Sequence, residues 1–257
     1  MHFEEFSEGD TFFHKLDPRV KILTLLPYIS LLAVLDGLKL PILAFIISFA
    51  MALLLIFFSK ERSLYIKRLF KRVLVINFFV FFLWIFIPFS YPGKELFSLG
   101  SLKATKEGYF YVLSITFKAN AIYLATITLL GTSNIFSLVR ALYYFKFPDK
   151  LIYLFFFFYR YLTVLHEEYT SMRNAMLIRA FKAKTNLHTY RTYAYLIGML
   201  LVRSYERSQR IYQAMLCRGF KGKFHVLNHF ELRKRDIIFC IFMAMLTCTL
   251  GYFSWFK

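Results

Sequence analysis

Acidic residues are scarce in this sequence: 15 Asp and Glu stand against 33 Lys and Arg, for a net charge of +18. It has no G-x-x-x-x-G-K-[ST] loop to cradle nucleotide phosphates, which excludes a recognisable ATP site of its own. It also lacks a G-x-S-x-G turn to present a nucleophilic serine and a helical H-E-x-x-H to hold zinc. Cysteines number only three, so they cannot all pair with one another. Cys240 and Cys248 fall in an apolar run and Cys217 in a basic one, which implies no disulfide framework. The first ten residues are acidic and lack the basic-then-apolar order of a cleaved signal peptide. His225 and His229 stand four apart without a nearby Cys or carboxylate ligand, a weak metal signal, and His2 is weaker still. No metal or cofactor is therefore expected.

What is present is apolar. The chain is 58% hydrophobic and 21% aromatic, with a mean hydropathy of +0.52. Uncharged runs occupy 22–35, 40–59, 73–93 and 237–256, and a further apolar stretch, 109–131, contains Lys118 and Asn120. Runs of about 20 residues suffice to cross a hydrocarbon core as helix. The expected fold is an all-α integral membrane protein with about five transmembrane helices, six if charged residues hide one more crossing. Asp17 followed by Pro18 predicts a helix start, as does Thr132-Ser-Asn134 for a short helix ended near Phe147-Pro148. Lys118 within a span is read as snorkelling or as facing neighbouring helices.

Charge sets the expected orientation. Segment 60–72 carries six Lys or Arg against one Glu, and 166–235 carries fourteen against four. Both belong on the cytoplasmic side. The aromatic stretch 151–165 is then re-entrant, interfacial or packed on other helices, because a full crossing would carry 166–235 outside. The expected organisation is an N-terminal cytoplasmic segment 1–21, membrane helices 22–131, amphipathic cytoplasmic coupling helices 132–235, and a last membrane helix 236–257. Such a protein sits in the cell membrane among lipids, which leaves nucleic acid no place as a partner.

Two stretches in the basic segment repeat. Residues 175–184, AMLIRAFKAK, and 214–223, AMLCRGFKGK, align without a gap and match at seven of ten positions. Each has an arginine, a small residue and a phenylalanine in order: Arg179, Ala180, Phe181 and Arg218, Gly219, Phe220. Arginine offers a planar fork of donors, and a small residue lets another backbone approach. The plainer alternative is two capped basic helix ends, with Gly219 and Gly222 as the caps. On a helix, Arg203, Arg207, Arg210, Ala214 and Arg218 fall within about 80° of arc, a basic stripe leading into the second copy.

These residues resemble the transmembrane T component of energy-coupling factor transporters, and more closely its cobalt-transport members, the CbiQ family. The resemblance covers nearly the whole chain. It rests on Leu16-Asp-Pro-Arg-Val-Lys21, Phe147-Pro148 with Tyr159-Arg-Tyr161, Met176-Leu-Ile-Arg-Ala180, and above all the run from Arg203 to Phe220. It implies two Arg-small motifs, Arg179-Ala180 and Arg218-Gly219, that dock two ABC-type ATPase subunits. Met176, Phe181, Arg203, Arg207, Arg210, Met215 and Phe220 would support that coupling face. The chain itself would be non-catalytic, and a separate membrane subunit, the S component, would bind the substrate. The match of 203–220 points to Co²⁺ or Ni²⁺, with vitamin uptake as the alternative. An enzyme acting on lipid phosphates is the rival from another class. Its only candidate acids would be Glu167, Glu168 and Glu206, and Glu206 is explained more simply by an ion pair with Arg210.

Overall fold

The computed structural model describes residues 9, 11–35, 37–59, 62–90, 92, 95–99, 102–222 and 232–255. Helix α1, Pro18–Val34, begins as Asp17-Pro18 predicts: the Asp17 carboxylate accepts from the Arg19 amide at 2.8 Å. It is followed by α2 (Lys39–Phe58) and α3 (Arg62–Ser90), then an antiparallel hairpin of β1 (Glu95–Leu99) and β2 (Leu102–Thr105). Thr105 caps α4, Lys106–Thr126, which runs on into a π-helical turn at Ile127–Gly131. Asn134 caps α5, Ile135–Tyr144, accepting from the Phe136 amide at 2.8 Å. Two long helices, α6 (Asp149–Ile178) and α7 (Leu187–Cys217), precede the last, α8 (Lys234–Trp255).

Four of these are long and apolar enough to cross a membrane: Lys39–Phe58, Tyr65–Ser90, Lys106–Gly131 and Lys234–Trp255. The expected first span, 22–35, is covered by α1 except for Leu35, its C-cap, and the 17 residues of α1 reach only the short end of the spanning range. Among the described residues the chain is an all-α membrane protein apart from one hairpin, which the polar composition of 94–108 did not signal. The basic stretch 60–72 is largely helical too, forming the first turns of α3.

Contacts divide the chain into two units, 2–145 with 230–257, and 146–229. In the first, α2 and α4 share the most extensive helix contact, with the rings of Phe45 and Phe117 centred 5.5 Å apart, and both helices bury small residues. Ala44 and Ser48 on α2, and Ala121 and Ala125 on α4, are wholly or almost wholly buried. Lipid tails are as apolar as leucine, so close backbone approach and interhelical hydrogen bonds must hold such helices together. The Tyr28 hydroxyl supplies one, to Ser48 at 2.8 Å, and Asn77 and Asn120 exchange two amide bonds at 3.1 Å between α3 and α4. At Gly108 a Cβ would come within 2.9 Å of the Pro88 backbone, so α4 approaches α3 where only glycine fits. Lys118, two residues before Asn120, is half-buried. Helices α2, α3 and α8 expose phenylalanine, leucine and isoleucine outward, as lipid-facing helices do. The second unit is α6 and α7, an interacting helix pair.

Candidate functional site

At 30 and 31 residues, α6 and α7 are each about 45 Å long at 1.5 Å per residue. The aromatic stretch 151–165 is the first half of α6 rather than a separate element. The short connection to α7 is closed by Asn186, whose side chain accepts from the Thr189 amide at 3.0 Å and its hydroxyl at 2.6 Å. Glu168 of α6 ties the pair together: it hydrogen-bonds Arg203 of α7 and lies 3.7 Å from Arg207. Arg210 pairs instead with Glu206, one turn away at 3.9 Å. The basic stripe is thus not a continuous free surface, for two of its arginines converge on one carboxylate. Beside this ion pair an apolar groove of about 320 Å³ runs between the helices, lined by Phe157, Tyr161, Leu165, Ile211 and Met215.

Both copies of the repeat close a helix in the same way. Arg179 is the C-cap of α6 and Arg218 the C-cap of α7. The next residue turns left-handed in each: Ala180 at φ 59° and Gly219 at φ 78°. The Phe181 amide donates to the Met176 carbonyl at 3.2 Å, and the Ala180 amide to Leu177 at 3.0 Å. In the second copy Phe220 donates to Met215 at 3.0 Å and Gly219 to Leu216 at 2.9 Å. This paired pattern is the Schellman motif, in which a left-handed residue lets two amides return to the last free carbonyls. An apolar contact between the residues at the Met and Phe positions commonly accompanies it.

The cap accounts for most of the repeat. Met176, Phe181, Met215 and Phe220 are half-buried. Phe181 packs edge-on against Tyr193 of α7, ring centres 5.9 Å apart, and Met215 lines the groove. The small residue answers to backbone conformation: a Cβ on Gly219 would meet nothing within 4 Å, yet φ 78° strains any L side chain. What the cap does not require is arginine. Arg179 and Arg218 are exposed, at equivalent positions on two helix ends, where a cation also complements the helix dipole. The alternative of two capped helix ends is therefore correct for Gly219 and leaves the arginines over. Gly222 also has a positive φ, 82°. His2, His225 and His229 lie outside the described residues. Among the described residues no three His, Cys, Asp or Glu gather as metal ligands, and Cys217, Cys240 and Cys248 are free.

Sequence reasoning overlooked the role of Glu168 and treated it as a candidate catalytic acid. Its scarcity was the available signal, since few carboxylates are offered to the many cations of 166–235. Its partners lie 35 and more residues away and meet it only in the folded pair.

Ala180 bears a strain that its counterpart Gly219 avoids. Left-handed backbone costs a non-glycine residue roughly 1–2 kcal/mol, partly offset by the greater freedom glycine loses on ordering. Ala180→Gly should stabilise the end of α6 by about 1 kcal/mol. Hydrogen exchange of the Phe181 amide, which closes the cap, should slow about fivefold. Unchanged or faster exchange would contradict this account of the repeat.

With this geometry in hand, comparison with known proteins places the chain. An uncharacterised protein of Methanocaldococcus jannaschii is 24% identical over 260 residues, covering 99% of this chain and 87% of the relative. The energy-coupling factor transporter transmembrane protein EcfT of Streptococcus thermophilus is 28% identical over 225 residues, 83% of each chain. The protein of the same name from Streptococcus equi subsp. equi is 25% identical over 224 residues, 83% of this chain and 81% of the relative. The family described as "Cobalt transport protein", CbiQ, matches residues 9–228. With four helices long and apolar enough to cross a membrane, this chain belongs to the CbiQ family of cobalt transport proteins.

Proposed function

We propose that this chain is the transmembrane T component of an energy-coupling factor transporter. It docks two ABC-type ATPase subunits on the cytoplasmic side, one at Arg179-Ala180 and one at Arg218-Gly219. It passes their ATP-driven motion to a separate substrate-binding membrane subunit. The substrate is Co²⁺ or Ni²⁺, in keeping with the family's description and with the run from Arg203 to Phe220. One observation carries the reading: two caps with the same hydrogen-bond pattern each end a helix of about 45 Å and expose one arginine apiece. Duplicated sites suit a pair of like subunits, and a long helix pair suits transmission over distance. Motion is transmitted only where a docked ATPase binds the two arginines with different strength in its nucleotide-bound and free states. The enzyme reading is weakened, since Glu168 is engaged by Arg203 and Arg207 and Glu206 by Arg210, which leaves Glu167 of its three candidate acids.

The test is reconstitution. The purified chain alone should neither bind nor hydrolyse ATP. Co-expressed ABC-type ATPase subunits should co-purify with it, and ATP-dependent uptake of Co²⁺ into vesicles should appear only with those subunits and the substrate-binding subunit present. Nucleotide turnover by the single chain, free of ATPase contamination, would overturn the assignment.

A further inference from the structure

The motif Leu16-Asp-Pro-Arg-Val-Lys21 has no part in the docking ends, yet it holds a dense set of buried polar contacts. Lys21 is fully buried, and its ammonium donates to Thr132 Oγ1 at 3.0 Å and Ser133 Oγ at 2.6 Å, where the π-helical turn gives way to α5. The Asp17 amide donates to Asp236 Oδ1 at 2.9 Å, and the Arg233 amide to Asp236 Oδ2 at 2.9 Å. Asp236 is 2% exposed and stands in the first turn of α8. The Arg19 guanidinium lies 3.5 Å from the centre of the Tyr144 ring, at the last residue of α5. Asp17, Arg19 and Lys21 thereby grip α8 in its first turn, α5 at its last residue and the turn that leads into α5.

Those grips coincide with the chain's crossings. The membrane unit ends at residue 145, one residue after Tyr144, and resumes at 230, a few residues before Arg233 and Asp236. Both covalent links to the helix pair therefore leave from elements that residues 17–21 hold. A buried ion cluster is weak as a source of stability, since apolar replacement is often neutral or better. Its use lies in fixing one arrangement of the elements that it joins.

We propose that residues 17–21, with Asp236, Thr132, Ser133 and Tyr144, form the joint through which movement of α6 and α7 reaches the membrane helices. The joint rests on the T-component reading. These are positioning residues, which act by holding the elements at both chain crossings against α1.

The assay is Co²⁺ taken up per ATP hydrolysed by the complete complex in vesicles. Two variant sets are used. Lys21→Met with Asp236→Asn removes the buried amine and the buried carboxylate together, so neither is left without the other. Its complex should assemble and hydrolyse ATP within about twofold of wild type, while uptake per ATP falls at least tenfold. Tyr144→Leu should lower the ratio about threefold, whereas Tyr144→Phe, which keeps the ring face under Arg19, should restore it. Packing alone would be served by either residue. Equal ratios for Leu and Phe, or a wild-type ratio in the double variant, would overturn the joint. If the double variant does not fold, the Leu–Phe comparison decides. Failure of the T-component reading shows in the wild-type chain, as absent ATP-driven uptake, and takes the joint with it. Failure of the joint alone shows only in the variants.

Discussion

Reversing both arginines, Arg179→Glu with Arg218→Glu, is expected to release the ATPase subunits while leaving the membrane protein folded. Both side chains are exposed in the free chain, and the cap hydrogen bonds at each site are made by backbone groups, so neither helix end depends on the guanidinium. Glu at a helix C-terminus opposes the dipole by about 0.3–1 kcal/mol, which is small beside the docking loss. Truncating one partner of a buried, hydrogen-bonded charge pair costs about 2–5 kcal/mol, and each factor of ten in affinity is 1.4 kcal/mol. A single reversal should therefore weaken its site by about thirtyfold or more. One ATPase would stay on the other copy, and hydrolysis would uncouple from uptake. Arg→Lys should be milder than reversal but not silent, because the charge remains and the planar fork is lost. Arg→Gln controls for the dipole term. Co-purification and Co²⁺ uptake read these outcomes for each single variant and the double. Normal assembly and uptake in the double variant would return the repeat to two helix caps and nothing more.

The spans were legible because their signal is local. An uncharged run of 20 residues, as at 40–59, needs no tertiary information to be seen as a membrane helix, and α2 occupies Lys39–Phe58. Asp17-Pro18 and Asn134 were legible for the same reason, since an N-cap closes on amides two residues away. The limits of α3 were less so: its basic first turns carry charge, yet nothing in Lys, Arg or Leu breaks a helix. The π-helical turn at Ile127–Gly131 left no mark in the sequence, being an alternative pairing of the same backbone groups.

Misreadings arose where one residue type serves two purposes. The arginines of α7 form a stripe on a helical wheel, but the wheel cannot show that Glu168 of α6 will meet Arg203 and Arg207. Asp236 is the last charge before a 20-residue uncharged run, which marked it only as a boundary. That it accepts from the Asp17 amide, 219 residues away in the chain, emerges only from the packing of α1 against α8.

A graded series at Gly219 separates the two reasons for a small residue there. If a partner's backbone must approach, tolerance should follow size, so alanine is better than asparagine. If the left-handed φ of 78° is the constraint, tolerance should follow conformational preference, so asparagine is better than alanine. Asparagine visits the left-handed region readily because its side chain can bond locally, and it is the usual substitute for glycine at this cap. In the free chain a Cβ at Gly219 meets nothing within 4 Å, which favours the conformational order. The expected ranking is Gly, then Asn, then Ala, with Val last. Alanine should cost about 1–2 kcal/mol at the α7 end, and valine more, since a β-branched residue there is a strong outlier. The Phe220 amide, bonded to Met215 at 3.0 Å, is the local reporter by hydrogen exchange, and ATPase co-purification is the functional one. Both should follow the same ranking, because an unravelled cap misplaces Arg218 whatever its side chain offers. Alanine outperforming asparagine in co-purification, with the exchange order reversed, would show that the docked ATPase reads the small residue directly.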